Sequence, residues 1–144
     1  MSVRSLGFIL LLVAIGGGVW KCGFSNKIGT QWAIPTDEMD AYGFATVPLP
    51  DGMSSRGIVI FTPANCPSDA AQRAESLARY LSSKGIAYAK STSAEYNNLS
   101  SREEVDRVLA IMNGPIPVVY VNGKAKANPT PEEVEGEYWH SKRS

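Results

Sequence analysis

The stretch that decides the fold is residues 57–80, GIVIFTPANCPSDAAQRAESLARY. Ile58-Val59-Ile60-Phe61 is a short apolar run that stops at Thr62-Pro63. After Cys66-Pro67 the pattern changes: Ala70, Ala74, Leu77, Ala78 and Leu81 recur at steps of three and four, as one face of an α-helix does. Pro67 suits the first helical position, where its missing N–H is one of the donors no intrahelical carbonyl reaches. The stretch therefore reads as a buried strand handing over to a helix, with Cys66 at the helix N-terminus and Pro67, Ser68 and Asp69 forming its start. Unpaired amides and the helix dipole favour a thiolate at such a place, so Cys66 is the candidate reactive residue.

Downstream, the helix is expected to end near Lys84, with Gly85 as its left-handed cap. Residues 86–89 read as the next short strand, and a strand, helix and strand this close imply a parallel βαβ unit. Residues 91–100 are polar and read as a loop. Ser101-Arg102-Glu103-Glu104 has the form of a capping box, and Val105, Val108, Leu109 and Met112 supply the apolar stripe of a second helix ending at Asn113-Gly114. Pro115-Ile116-Pro117 then leads into Val118-Val119-Tyr120-Val121. Asn122-Gly123 between that run and residues 124–127 is a strong hairpin signal. Thr130-Pro131-Glu132-Glu133 starts a last helix, with Val134, Tyr138 and Trp139 expected to pack it back onto the sheet.

Upstream, Arg4 precedes residues 6–20, LGFILLLVAIGGGVW, which carry no charge. That is a little short of the roughly 20 residues that span a bilayer. Trp20-Lys21 fits the interfacial end of an uncleaved signal anchor. Ala14-Ile15-Gly16 fits a signal-peptidase site, and a cleaved signal peptide stays open as the alternative. A buried core helix fits less well, because no face is polar. Either targeting reading exports the C-terminal part of the chain, as a membrane-anchored domain in the periplasm or another extracytoplasmic space, or as a secreted one. Residues 22–55 are rich in Gly, Pro, Ser, Thr and Asp and read as a linker, with a short edge strand over 44–47 ended by Pro48 and Pro50. The expected organisation is signal segment 1–21, linker 22–55, folded domain 56–140 and tail 141–144.

Composition narrows the function. The chain has 144 residues, 14 Lys and Arg against 14 Asp and Glu, and no clustered basic tract, so phosphate-led binding of nucleic acid is not expected. Two cysteines, Cys22 and Cys66, make neither a disulfide framework nor a zinc pattern. The single histidine, His140, sits in the polar segment EYWHSKRS without neighbouring ligands, so no metal site is expected.

The element order β-α-β, α, β-hairpin, α, with Asn65-Cys66-Pro67-Ser68 at the first helix and Ile116-Pro117-Val118-Val119-Tyr120-Val121-Asn122-Gly123-Lys124 at the hairpin, resembles the thioredoxin superfamily, glutaredoxins most of all. The resemblance covers about residues 57–139. It implies an α/β, thioredoxin-like (glutaredoxin-type) mixed sheet with flanking helices, here preceded by one N-terminal hydrophobic helix. It also implies that Cys66 is the attacking thiol and that Pro117 follows a cis peptide bond opposite it. The backbone of Ile116 would then be open to pair with a bound peptide or with glutathione.

Two departures bear on activity. Asp69 stands where a dithiol family member has its second cysteine, so a mixed disulfide at Cys66 has no resolving thiol beside it. Asp69 also opposes a thiolate at Cys66, with Arg73 one turn on as the expected counter-charge. In addition, Ala125-Lys126-Ala127-Asn128 replaces the glycine pair many glutaredoxins carry after the hairpin. The expectation is a monothiol thiol-disulfide oxidoreductase acting on protein disulfides or glutathione adducts. A catalytically inactive binding or assembly module of the same fold is the alternative. Glutathione is the only cofactor-like molecule implied, and residues 6–20 the only membrane contact.

Overall fold

The computed structural model describes residues 11–13, 34–62 and 68–144. In chain order the strands are β1 (Leu11–Val13), β2 (Ala45–Thr46), β3 (Ile58–Phe61), β4 (Ala89–Ser91), β5 (Ala94–Tyr96), β6 (Val118–Val121) and β7 (Lys124–Ala127). The helices are α1 (Asp69–Ser83), α2 (Arg102–Met112) and α3 (Pro131–Arg143). Five strands form one mixed sheet in the order β2-β7-β6-β3-β4, with β3 and β4 parallel and the other neighbours antiparallel. The fold is thus α/β, broadly compatible with the expected thioredoxin-like arrangement. The expected N-terminal helix lies outside the described residues apart from Leu11–Val13, whose backbone pairs antiparallel with β5. No described helix is long and apolar enough to cross a membrane.

The apolar strands lie between two helical layers, which is why they are hydrophobic at consecutive positions. Ile58, Ile60, Val119 and Val121 face α1 and α3, against Leu77, Ala78, Leu81 and Val134. Phe61, Val118 and Tyr120 face the other way, toward Val108, Ile111 and Met112 of α2. Each fully buried aliphatic side chain contributes about 1.5–3 kcal/mol relative to leaving it in water. The linker takes part in both layers: Phe44 is buried with the first set, and Ile34, Ala45 and Val47 with the second.

Several local expectations hold. Gly85 has φ +68° after α1, and Asn122 (φ 46°) with Gly123 (φ 89°) makes the β6–β7 turn. Thr130 and Glu133 form the full capping box of α3, with Pro131 in its first turn. Others shift. The strand expected over 86–89 forms at Ala89–Ser91, because Ile86 is drawn into the core beneath α1 as its amide bonds the Leu81 carbonyl. β5 arises in the segment read as a loop, where Ala94 and Tyr96 are buried on either side of exposed Glu95. At α2, Ser101 caps the Glu104 amide, but the Glu104 carboxylate turns to the amide and hydroxyl of Ser100. On α3, Trp139 is 42% exposed, and Glu137, at 0%, takes the place on the inward stripe below Val134.

Buried polar groups tie the layers together. The Tyr96 and Tyr120 hydroxyls lie 2.7 Å apart, and Tyr120 donates to the Pro48 carbonyl at 3.2 Å. Tyr96 is therefore the donor to Tyr120, since the Tyr120 proton is committed to Pro48. Burial pushes the Tyr96 phenol up to about 12 and raises Tyr120 as well.

Candidate functional site

The register of β3 and β6 sets the site. Phe61 pairs with Val118, so the next residues, Thr62 and Pro117, leave the sheet side by side. From Thr62 the chain runs through residues 63–67 to Ser68 and α1. From Pro117 it runs back through Ile116 to α2. The two connections emerge at the end of the sheet where parallel β3 and β4 terminate, the end at which α/β sheets bind ligands.

Ser68 is the N-cap of α1, its hydroxyl accepting from the Ala71 amide at 3.5 Å. The helix thus begins at exposed Asp69, one residue after the cap, rather than at Pro67. Ser68 takes the N-cap because its side-chain oxygen satisfies one of the first-turn amides that no intrahelical carbonyl reaches. Cys66 and Pro67 lie outside the described residues. The Ile116–Pro117 peptide bond is cis, as expected, and Pro117 is buried.

One side chain joins the two connections. Arg73, one turn into α1, donates from Nη2 to the Ile116 carbonyl at 2.9 Å and from Nε to the Asn128 side-chain oxygen at 3.0 Å. Asn128, with φ 48°, donates its own amide to the Pro117 carbonyl at 2.7 Å. Two expectations change as a result. The backbone of Ile116 is expected to be open to a bound peptide, and one of the two acceptor positions of its carbonyl is taken by a guanidinium. Arg73, expected to neutralise Asp69, forms no ion pair with it among the described residues, because the two carbonyl oxygens hold its fork.

Beside this junction lies a groove of about 460 Å³ between the first turns of α1 and the β7–α3 turn, lined by Asp69, Gln72, Arg73, Asn128 and Thr130 among others. Its lining is predominantly apolar, with Leu77, Pro129 and Pro131, and is set with one cation, one carboxylate and several amide and hydroxyl groups, a mixture that suits an extended peptide chain. Thr62 Oγ1 is buried at the head of the connection, with no hydrogen-bond partner among the described residues. No cluster of three or more metal-ligating side chains occurs among the described residues.

Sequence reasoning missed Asn128 and the part Arg73 plays. Asn128 had one visible signal: Asn, with its short polar side chain, tolerates positive φ, and it closes the hairpin before a Pro-Thr-Pro run. Nothing in the sequence pairs Arg73 with position 116. Compared with protein-family models, with curated proteins and with solved structures, the chain matches none, so the site is read from its own residues.

Proposed function

We propose that this is a thioredoxin-fold protein of glutaredoxin type that exchanges thiols and disulfides through Cys66, its domain exported on the apolar segment 6–20. The observation that carries this reading is the β3–β6 register, in which the connection bearing Cys66 starts beside Pro117. Three further points support it: the strand order β4-β3-β6-β7 with β3 and β4 parallel, the helices on both faces, and the groove next to the junction.

The chemistry needs only thiols. The Cys66 thiolate attacks one sulfur of a substrate disulfide, forming a Cys66–substrate disulfide and expelling the other sulfur as a thiolate, which takes up a proton. A second thiol, supplied by glutathione, by a protein or by Cys22, then attacks the Cys66 sulfur and expels the remaining substrate sulfur as a thiolate that takes up a proton, and a third thiol attacks the sulfur now bonded to Cys66 and restores the Cys66 thiolate. The substrate disulfide is reduced and the incoming thiols are oxidised, two electrons in all. The groove would hold the peptide or glutathione portion flanking the reacting sulfur. The test is reduction of a glutathionylated peptide by the full chain, with Cys66→Ser as the comparison. Turnover lost in Cys66→Ser supports the reading, and equal rates in the two proteins refute it.

A second reading is a binding module without redox turnover. What favours it is Arg73 on the Ile116 carbonyl together with Asp69 in the place of a resolving cysteine. Under this reading the groove takes a protein segment, and Cys66→Ser binds it as well as the parent chain does.

A further inference from the structure

Glu137 of α3 is fully buried, and neither carboxylate oxygen has a hydrogen-bond partner among the described residues. Among the described residues its only close counter-charge is Lys124 of β7, whose Nζ lies 3.4 Å from Oε1. The same ammonium lies 3.0 Å from Oδ2 of Asp40, which belongs to the lead-in preceding β2. One ammonium therefore serves two carboxylates in a site largely closed to water. With both acids ionised, the cluster holds an uncompensated negative charge, an arrangement that burial penalises strongly. With Glu137 neutral, Asp40 and Lys124 balance.

Asp40 is also the organiser of the lead-in. Its Oδ1 accepts from the amides of Tyr42 and Phe44 at 2.9 Å each, and its own amide donates to the Phe44 carbonyl at 2.9 Å. Phe44, fully buried, is the lead-in's anchor in the α1–α3 core. The other polar and charged groups around the cluster are accounted for. Lys126 of β7 donates to the Tyr42 carbonyl and pairs with Glu133 at 2.8 Å. Tyr42 meets the His140 ring edge-on at 6.3 Å, and Ser141, bonded by Asn122, donates to the Glu137 carbonyl. None of them offers a second cation to Glu137 among the described residues.

We propose that Asp40, Lys124 and Glu137 form a proton-dependent clasp, which fastens the lead-in to α3 and β7 while Glu137 is protonated and loosens it when Glu137 ionises. Burial first, then the neighbouring Asp40, push the Glu137 carboxyl up to about 7. Asp40 is held below the ordinary range: burial works against this, but the proton carried by the neutral Glu137 carboxyl, the Lys124 ammonium and the Phe44 and Tyr42 amides outweigh it. The clasp thus changes state close to neutral pH. It governs how firmly residues 34–47, and with them the connection to the N-terminal segment, are held to the sheet.

The test is hydrogen exchange of the Tyr42 and Phe44 amides in the full chain, as protection factors corrected for intrinsic rates. Between about pH 5.5 and about pH 8 the protection should fall roughly tenfold or more, because the opened lead-in releases the extra proton. In Glu137→Gln, of the same shape but without the titration, the fall should vanish, while a His140→Gln control keeps it. In Asp40→Asn, Glu137 has Lys124 to itself and ionises more readily, so the fall should move to lower pH. An unchanged fall in Glu137→Gln, or no fall in the parent chain, overturns the proposal. If Glu137→Gln does not fold, an unshifted profile in Asp40→Asn overturns it equally.

Discussion

Arg73 and Ile116 are joined by a guanidinium-to-carbonyl hydrogen bond of 2.9 Å, between the first turns of α1 and the residue before the cis proline. The bond takes up one of the two acceptor positions of the carbonyl that a strand-adding peptide would use here. Arg73 is thus both a brace and a partial plug.

Replacing Arg73 by Ala separates these roles. The bond is exposed, so its loss should cost about 0.5–1.5 kcal/mol in urea unfolding. If an extended segment pairs with Ile116, the same change should tighten peptide binding or speed reduction of a peptide disulfide, since that acceptor position no longer has to be vacated. Arg73→Ala that is slower, or that binds less tightly, would mean that the guanidinium contacts the substrate directly.

The buried tyrosine pair gives a test of the opposite layer. Tyr120 accepts from Tyr96 and donates to Pro48, so Tyr120→Phe breaks two bonds and Tyr96→Phe only one. Chemical denaturation should find Tyr120→Phe the costlier change, by about 1–3 kcal/mol for the groups left unpaired. The double variant should cost less than the sum of the singles, because the pair shares one bond. Additive values would contradict a bond shared by the two hydroxyls.

Stability should also carry an unusual pH signature. The folded pKa of Glu137 is raised from 4.5 to about 7, so its contribution is complete below the unfolded value and is lost as pH rises through the folded one. Asp40 and Glu133 are lowered, so their contribution is present above their unfolded values and is lost as pH falls. Thermal unfolding should therefore peak at mildly acidic pH and decline toward neutrality, with Glu137→Gln flattening the decline. A midpoint that rises steadily from acid to neutral pH would refute this balance.

Gly114 tests the packing of α2 on β7. A Cβ there would lie 2.5 Å from the Ala127 Cβ and 3.1 Å from the Ile111 carbonyl oxygen, and neither neighbour can swing away. Gly114→Ala should destabilise the fold by about 1–3 kcal/mol, as overpacked sites do, measured by urea unfolding. A neutral effect would mean that α2 is held more loosely than its buried face implies.

The parts of the fold that could be read in the sequence are those set by local chemistry. The change from the apolar run at Ile58–Phe61 to the helical spacing after Ser68 gave β3 and α1, and Asn122-Gly123 gave the hairpin. Strand β5 is hidden because three residues are too few to reveal alternation, and β4 lies later than the expected 86–89 because its edge residues Ala89, Lys90 and Ser91 are polar or small. The site divides similarly. Pro117 announces itself, whereas the Arg73–Ile116 bond depends on how α1 lies across the sheet. Asp40 and Lys124, 84 positions apart, meet only because the lead-in folds back as β2 against β7. Glu137 left a faint trace, three residues after Val134 and four before Ser141 on the inward stripe, but a charged residue there reads as solvent-facing.

The proposed exchange at Cys66 is tested most directly by the pH dependence of Cys66 alkylation in the full chain carrying Cys22→Ser. The expected thiol pKa lies well below the free value of about 8.5, with protection by an added glutathione mixed disulfide. A pKa at or above that value, or a thiol that alkylates only on unfolding, would contradict it.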